Sequence, residues 1–127
     1  MNARLLFAVA IGAALGSLAR YLVSVAALAM LGAHFPAGTL AANVAGSFLI
    51  ALLARREAAG ALGPTASAFW LAGFCGGFTT FSIFSLETLI FIQDGRHAMA
   101  AIYVAASLVL WLGGAALGWR MGAPRKP

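Results

Sequence analysis

The chain has 127 residues, of which 63% are hydrophobic and 9% are charged, and its formal net charge is +5. A soluble domain of this length buries only part of its surface and could not shield so much apolar area from water, so a membrane protein of one domain is predicted. The eight Lys and Arg mainly flank apolar segments, as is typical of membrane proteins. They form no basic patch interleaved with aromatic residues, which argues against nucleic-acid binding.

Four apolar segments predict four transmembrane helices, so the fold class is all-α, with residues 1–127 as a single transmembrane domain. The first segment is much longer than the apolar region of a signal peptide, about 7–15 residues, and is predicted to be retained as a helix. Pro36 and glycine-containing or charged stretches separate the segments. The predicted spans cover residues 5–31, 38–54, 65–92 and 98–119.

The second span carries Thr39, Asn43 and Ser47 at a four-residue spacing, which places them on one face of a helix. Polar side chains inside a membrane need a partner, a cavity or a water path. The hydroxyls and the amide of this stripe can donate hydrogen bonds to a species that moves past them. They can equally hold neighbouring helices together, because interhelical contacts use the same residue types.

The third span contains three glycines and two threonines at mid-membrane, within the segment GFCGGFTTFS at 73–82. Glycine is a weak helix former and threonine a modest one, so the third helix is predicted to break near its middle, at Gly76 and Gly77. Transporters use such breaks as ion sites, where freed backbone carbonyls hold a cation. A continuous helix with small residues for packing is the alternative.

Phe81 and Phe84 follow the predicted break at a three-residue spacing, so both lie on one face if that part is helical. Phenylalanine in a span usually indicates lipid contact or core packing. The edge of an aromatic ring is nevertheless electropositive and can face an anion. The residues alone leave both interpretations open.

Arg20 lies well inside the first span, where a charge is costly unless it meets water or a partner. An ion pair with Glu87 and a side chain that extends to the membrane surface are both compatible with its position. In the fourth span, Tyr103 and Ser107 form another pair of hydroxyls at a four-residue spacing.

No set of residues in the sequence is typical of a catalytic site or of a metal site built from side chains, so we do not expect an enzyme. The single cysteine, Cys75, lies in an apolar, glycine-rich stretch and is interpreted as a small packing residue. His34 and His97 lie in connections near span ends, which is typical of solvated residues at the membrane surface.

Three segments together resemble the Fluc family of fluoride channels, also called CrcB. They are GAALGSLARY at 12–21, GTLAANVAGSF at 38–48 and GFCGGFTTFSIF at 73–84. The third is the most specific, because a GGxTTFSxF pattern inside a hydrophobic span is rare. The resemblance covers essentially the whole chain and implies a passive, fluoride-selective channel of the cell inner membrane that exports cytoplasmic fluoride and lowers its toxicity.

The resemblance also implies an antiparallel homodimer of dual topology in membrane lipid, with two fluoride pores along the subunit interface. In such a dimer Phe81 and Phe84 would line the pores, and Asn43 would hydrogen-bond near the ion. Carbonyls of Gly76 and Thr79 would hold a structural sodium ion at the dimer centre, and Arg20 would lie at the floor of an aqueous vestibule. Other residues implied near the pore or its polar track are Thr39, Thr80, Ser82, Glu87, Tyr103 and Ser107.

The distribution of positive charge does not fit dual topology well. Four spans place both termini and the middle connection on one side of the membrane, and the number of Lys and Arg on a side sets orientation. The other side holds Arg96 alone. The side with the termini holds Arg4, Arg55, Arg56, Arg120, Arg125 and Lys126. An antiparallel pairing with a separate, oppositely oriented subunit is therefore an alternative to the homodimer.

Two other functions compete with the channel. A proton-coupled exporter of cationic compounds needs an intramembrane carboxylate, and Glu87 is the candidate, although it lies toward the end of its span. A non-transporting subunit of a larger membrane complex is the other, and a broken third helix argues against it.

Overall fold

The computed structural model describes residues 2–123, which form helices joined by short connections. In chain order the helices are α1 (Ala3–Leu31), α2 (Ala37–Ala58), α3 (64–78), α4 (Ser82–Gln93) and α5 (His97–Met121). Arg125 and Lys126, which contribute to the predicted charge asymmetry, lie outside the described residues.

Helix α1 begins and ends where its sequence provides caps. The Asn2 side chain accepts a hydrogen bond of 3.1 Å from the Arg4 backbone N–H, which satisfies one of the free donors of the first turn. At the other end Gly32 has a φ of +75° and its N–H donates to the Leu28 carbonyl. A left-handed residue of this kind commonly ends a helix, and glycine adopts it without steric cost.

Four helical segments are long and apolar enough to cross a membrane, which confirms the predicted number of spans. They are Ala3–Leu31, Ala37–Ala58, Pro64–Gln93 and His97–Met121. The third of these consists of α3 and α4, which meet at an interruption over residues 79–81. Large apolar side chains such as Phe7 and Leu112 are exposed on the outside of the bundle, as expected where lipid is the solvent.

The interruption lies about three residues after the predicted position. Gly76 and Gly77 are still helical, with Gly76 at φ −62° and ψ −39°, whereas Thr79 is extended at φ −87° and ψ 156°. The weak propensity of the glycines therefore does not decide the site of the break. The backbone leaves the helix where a side chain from α2 replaces its hydrogen bonds, as described below.

Most of α3 is a π-helix, over Ala68–Cys75, which the sequence did not predict. This wider helix packs against α1 through glycines on both sides. A Cβ added to Gly12 or Gly16 would overlap the carbonyl oxygens of Phe69 or Phe74, and one added to Gly77 would overlap that of Ala13. The small residues of the first span thus allow backbone-to-backbone contact within the bundle.

Helices α2 and α5 are in similarly close contact. A Cβ on Gly118 would overlap the Phe48 carbonyl oxygen, and one on Gly122 would overlap that of Leu52. The buried apolar cluster lies between α4 and α5 and contains Phe84, Phe91, Ala100 and Tyr103. These two contacts hold α5 beside both the polar stripe of α2 and the end of the broken helix.

Candidate functional site

The break between α3 and α4 is held open by Asn43 of α2. The Asn43 Nδ2 donates to the Thr80 carbonyl at 2.8 Å, and the Thr80 N–H donates to Asn43 Oδ1 at 2.8 Å. Asn43 is buried, with 5% of its surface exposed. One amide side chain therefore satisfies both backbone groups of Thr80, which a helix end inside a membrane could not leave unpaired.

The last turn of α3 before the break receives donors from α1. The carbonyl of Gly77 accepts a hydrogen bond of 3.2 Å from Arg20 Nε and one of 3.4 Å from Ser17 Oγ. Carbonyls in the last turn of a helix lack helical partners, so these contacts stabilise the helix end. They also place a guanidinium deep in the membrane beside the interruption. Arg20 and Glu87 do not form an ion pair: Arg20 donates to the Gly77 carbonyl, whereas Glu87 accepts from Thr39 and Tyr103.

Glu87, on α4 after the break, lies in a cluster of hydroxyl donors. Thr39 Oγ1 donates to Glu87 Oε1 at 2.7 Å, and Tyr103 OH donates to Glu87 Oε2 at 2.6 Å. The two donors come from α2 and α5, so the carboxylate of α4 joins three helices. The hydrogen bonds compensate for part of the cost of placing a charge in the bundle.

The two phenylalanines beyond the break have different environments in the single chain. Phe81 is 70% exposed at the start of α4, whereas Phe84 is 5% exposed and packs with Tyr103 and Trp111. The Phe81 and Phe84 ring centroids are 5.5 Å apart. The two rings thus form a continuous aromatic surface that runs from the outside of the chain into the α4–α5 core.

A cavity of about 410 Å³ lies at the break and brings five of the predicted residues together. Its polar walls come from the α2 stripe and from the interrupted backbone. The lining consists of Asn43, Ser47, Ile50, Gly76, Thr79, Thr80, Phe81 and Trp111. We call this space the break cavity.

A second cavity, of about 510 Å³, lies toward the connections α1–α2 and α4–α5. Thr39 and Glu87 line its inner part, and Asp94 and Arg96 line it as well. Arg96 Nη2 donates to the His34 carbonyl at 3.2 Å, and its guanidinium lies 4.6 Å from the Phe91 ring centroid. Thr39 and Glu87 of the Thr39–Glu87–Tyr103 cluster therefore face this cavity, and no member of the cluster lines the break cavity.

Five predicted residues line neither cavity, and two contributors were missed. The five are Arg20, Ser82, Phe84, Tyr103 and Ser107. Ser82 is exposed in the first turn of α4, and Ser107 is fully buried between its neighbours. Ser17 was not predicted as a partner of the break, although it lies three residues before Arg20 on the same helix face. Trp111, a mid-span residue that was not among the predicted site residues, also lines the break cavity.

Comparisons with known proteins agree with the resemblance of the sequence motifs. The family model described as CrcB-like protein, Camphor Resistance (CrcB), matches residues 7–119. A protein of Thermus thermophilus is 48% identical over 114 residues, which are 90% of this chain and 91% of its own length. A protein of Nitrobacter winogradskyi is 49% identical over 109 residues, 85% of this chain and 86% of its own.

A third relative, from Agrobacterium fabrum, is 43% identical over 118 residues, 90% of this chain and 92% of its own length. All three relatives carry the name fluoride-specific ion channel FluC. The matches extend over all four spans and include the break, so this chain is a multi-pass membrane protein and belongs to the CrcB family.

Proposed function

We propose that this chain is a fluoride-specific ion channel that conducts passively and lets fluoride leave the cytoplasm across the cell inner membrane. The observation that carries the proposal is the break cavity, in which the Asn43 amide, the interrupted backbone and the Phe81 ring meet at one place. Relatives of similar length that bear the name of a fluoride channel support the choice of ion.

The chemistry of fluoride fits these groups. Fluoride is small and strongly hydrated, so a selective path must replace its water with close hydrogen-bond donors. Amide and hydroxyl groups supply such donors, and ring edges of Phe81 and Phe84 add weak positive potential. The path we propose runs from the break cavity along α4 and α5, past Thr80, Phe81 and Phe84 and on to the hydroxyls of Ser107, Tyr103 and Thr39.

The carboxylate of Glu87 imposes a condition on this path. Its two oxygens accept the hydroxyl hydrogens of Thr39 and Tyr103. Each hydroxyl has a single hydrogen, so neither can donate to an anion while it is bound to Glu87. We propose that these hydroxyls donate to fluoride only when they turn away from the carboxylate. Ser82, at the exposed start of α4, is a further hydroxyl near this path.

The exposed face of the break supports assembly as an antiparallel homodimer. Gly76 and Phe81 are exposed in the single chain, although they border a polar cavity in the middle of the span. A second copy that covers this face would close the cavity, and a two-fold axis in the membrane plane would bring the breaks of both copies together. Pairing with a separate, oppositely oriented subunit is the alternative that the charge asymmetry supports.

We further propose that backbone carbonyls of Gly76 and Thr79 hold a structural sodium ion at the dimer centre. Both residues line the break cavity, and the extended backbone of Thr79 ends the helix there, so carbonyl oxygens near it are released from helical pairing. Such oxygens are hard, neutral ligands that suit an alkali cation. Arg20, beside this end of α3, would lie at the floor of the adjoining vestibule.

Purified protein in liposomes provides the direct test. Fluoride loaded inside should leave down its gradient once a counter-ion path is supplied, and chloride should be retained. The rate should not change when a proton gradient is imposed in either direction, because the proposed conduction is passive. Equal release of both anions, or release that requires a proton gradient, would overturn the proposal and favour the proton-coupled exporter.

A further inference from the structure

Two buried polar atoms on one face of α5 have no hydrogen-bond partner within residues 2–123. They are Ser107 Oγ and Trp111 Nε1. Ser107 is fully buried, with 0% of its surface exposed. An unpaired buried donor costs free energy, and native structures contain few of them. Two at successive turns of one helix indicate a partner that is present only part of the time.

Ser107 and Trp111 lie on a face of α5 that leads from the Glu87 cluster to the break cavity. Tyr103, Ser107 and Trp111 follow one another at four-residue spacing and therefore share a face of α5. At one end of this row, Tyr103 contacts the Glu87 carboxylate, and at the other end Trp111 lines the break cavity. The Phe84 ring packs along the row, 5.1 Å from the Tyr103 ring and 4.8 Å from the Trp111 ring.

The hydrogen-bonding groups of Ser107 and Trp111 indicate which kind of partner is missing. An indole N–H only donates, and a serine hydroxyl donates readily, so the missing partner is an acceptor. Asn43, which faces the same cavity, uses one of its two amide hydrogens for the Thr80 carbonyl. A water molecule could also accept from these donors, but it has two hydrogens of its own that need acceptors. A small anion accepts from several donors and has no hydrogens to place.

We propose that the Trp111 indole N–H is a further fluoride donor, which forms a donor pair with the Ser107 hydroxyl of the path described above, between the break cavity and the Glu87 cluster. This inference rests on the proposed function and adds a subsite to it. Trp111 is then a specificity-determining residue as well as a packing partner of Phe84. Its donor is fixed by the rigid ring, in contrast to the Tyr103 and Thr39 hydroxyls, which are occupied by Glu87.

Indole resonances allow a direct measurement, because the chain contains three tryptophans. The full-length protein, labelled with ¹⁵N at tryptophan and reconstituted in lipid nanodiscs, is titrated with sodium fluoride and separately with sodium chloride. We expect a saturable downfield shift of the Trp111 indole proton with fluoride and none with chloride. Trp70 and Trp119 lie outside the row and serve as internal controls. Their resonances are identified in Trp70→Phe and Trp119→Phe, so Trp111 is assigned even if its own variant does not fold.

Transport by Trp111→Phe provides the second measurement. Phenylalanine keeps an aromatic ring against Phe84 but removes the donor, so fluoride release should fall by about tenfold or more, as expected for the loss of one hydrogen bond to a charged partner. Trp119→Phe also loses an indole N–H, and it should release fluoride at the unaltered rate because Trp119 contacts Arg55 rather than the row.

The outcomes separate this inference from the proposed function. If the unaltered protein releases fluoride but the Trp111 resonance does not respond, or responds equally to chloride, the donor pair is wrong and the channel function stands. If the unaltered protein releases no fluoride, both are wrong. A fluoride-specific shift together with the selective loss of release in Trp111→Phe supports the donor pair.

Discussion

At the residue scale, the most constrained side chain of the site is Asn43. Its amide accepts from the Thr80 N–H and donates to the Thr80 carbonyl, both at 2.8 Å. An amide carries a donor and an acceptor side by side, so this one side chain pairs with both the N–H and the C=O of Thr80, which helical neighbours would otherwise pair. The polar stripe on α2 predicted that Asn43 needs a partner. The sequence did not give the identity of that partner, because it depends on how α2 packs against the broken helix.

Asn43→Asp tests this constraint with little change in shape. The carboxylate can still accept from the Thr80 N–H, but it loses the donor to the Thr80 carbonyl and adds negative charge beside the proposed path. We expect a loss of about 1–3 kcal/mol in stability and at least a tenfold lower fluoride release. Thermal unfolding in detergent and release from liposomes are the measurements.

Gln93→Glu is the matched control for Asn43→Asp. It also replaces an amide with a carboxylate, but at the exposed end of α4, where Gln93 lines neither cavity. It should unfold and transport as the unaltered protein does. Unimpaired fluoride release by Asn43→Asp would show that neither the hydrogen-bond pair nor the charge at this position matters for conduction.

At the scale of the elements, hydropathy predicted the number of spans. It did not predict the position of the break or the π-helix within the third span. Hydropathy reports the apolar length of a segment, and four such segments were recognisable. The break was expected at Gly76 and Gly77 and lies at residues 79–81, because the partner side chain, rather than local propensity, decides it. The π-helix over Ala68–Cys75 had no sequence signal, since it arises from the fit of α3 against α1.

Close contact between α2 and α5 can be tested with two glycines of α5. A Cβ at Gly118 would overlap the Phe48 carbonyl oxygen, whereas a Cβ at Gly113 meets no atom within 4 Å. Gly118→Ala should therefore force the helices apart, at a cost of about 1–3 kcal/mol. Gly113→Ala should leave the thermal unfolding temperature unchanged or slightly raise it, because alanine favours a helix. Equal stability of the two variants would contradict the packing described for α2 and α5.

At the scale of the whole molecule, the break cavity is open at a face that one chain leaves uncovered. Gly76 is exposed beside it, and a Cβ at Gly76 meets no atom within 4 Å of the same chain. Gly76→Leu should therefore leave the single chain folded but hinder the proposed approach of a second copy. Cross-linking in liposomes should show more monomer and less dimer.

Gly113→Leu is the control for Gly76→Leu, because Gly113 also faces open space but lies on α5 and lines neither cavity. It should assemble as the unaltered protein does. A dimer that persists in Gly76→Leu would place the interface elsewhere on the chain, and an equal loss of dimer in both variants would show a general effect of added bulk.

Orientation in the membrane decides between the homodimer and a pairing with a separate subunit. Six positive residues on the side of the termini, against Arg96 on the other, favour one orientation, whereas an antiparallel homodimer needs both. Cys75 is the only cysteine and is 1% exposed, so a cysteine appended to the C-terminus provides an accessible thiol of known position. An impermeant thiol reagent is then applied to intact cells and to inverted membranes.

We expect similar labelling from both sides of the membrane, because the proposed homodimer covers the break with a second, inverted copy. We expect the contacts of the proposed interface to outweigh the few charged residues near the span ends. Fluoride release by the lone protein should accompany the two-sided labelling. Labelling from the cytoplasmic side alone, without release, would show that the positive residues fix one orientation and that an oppositely oriented subunit completes the channel.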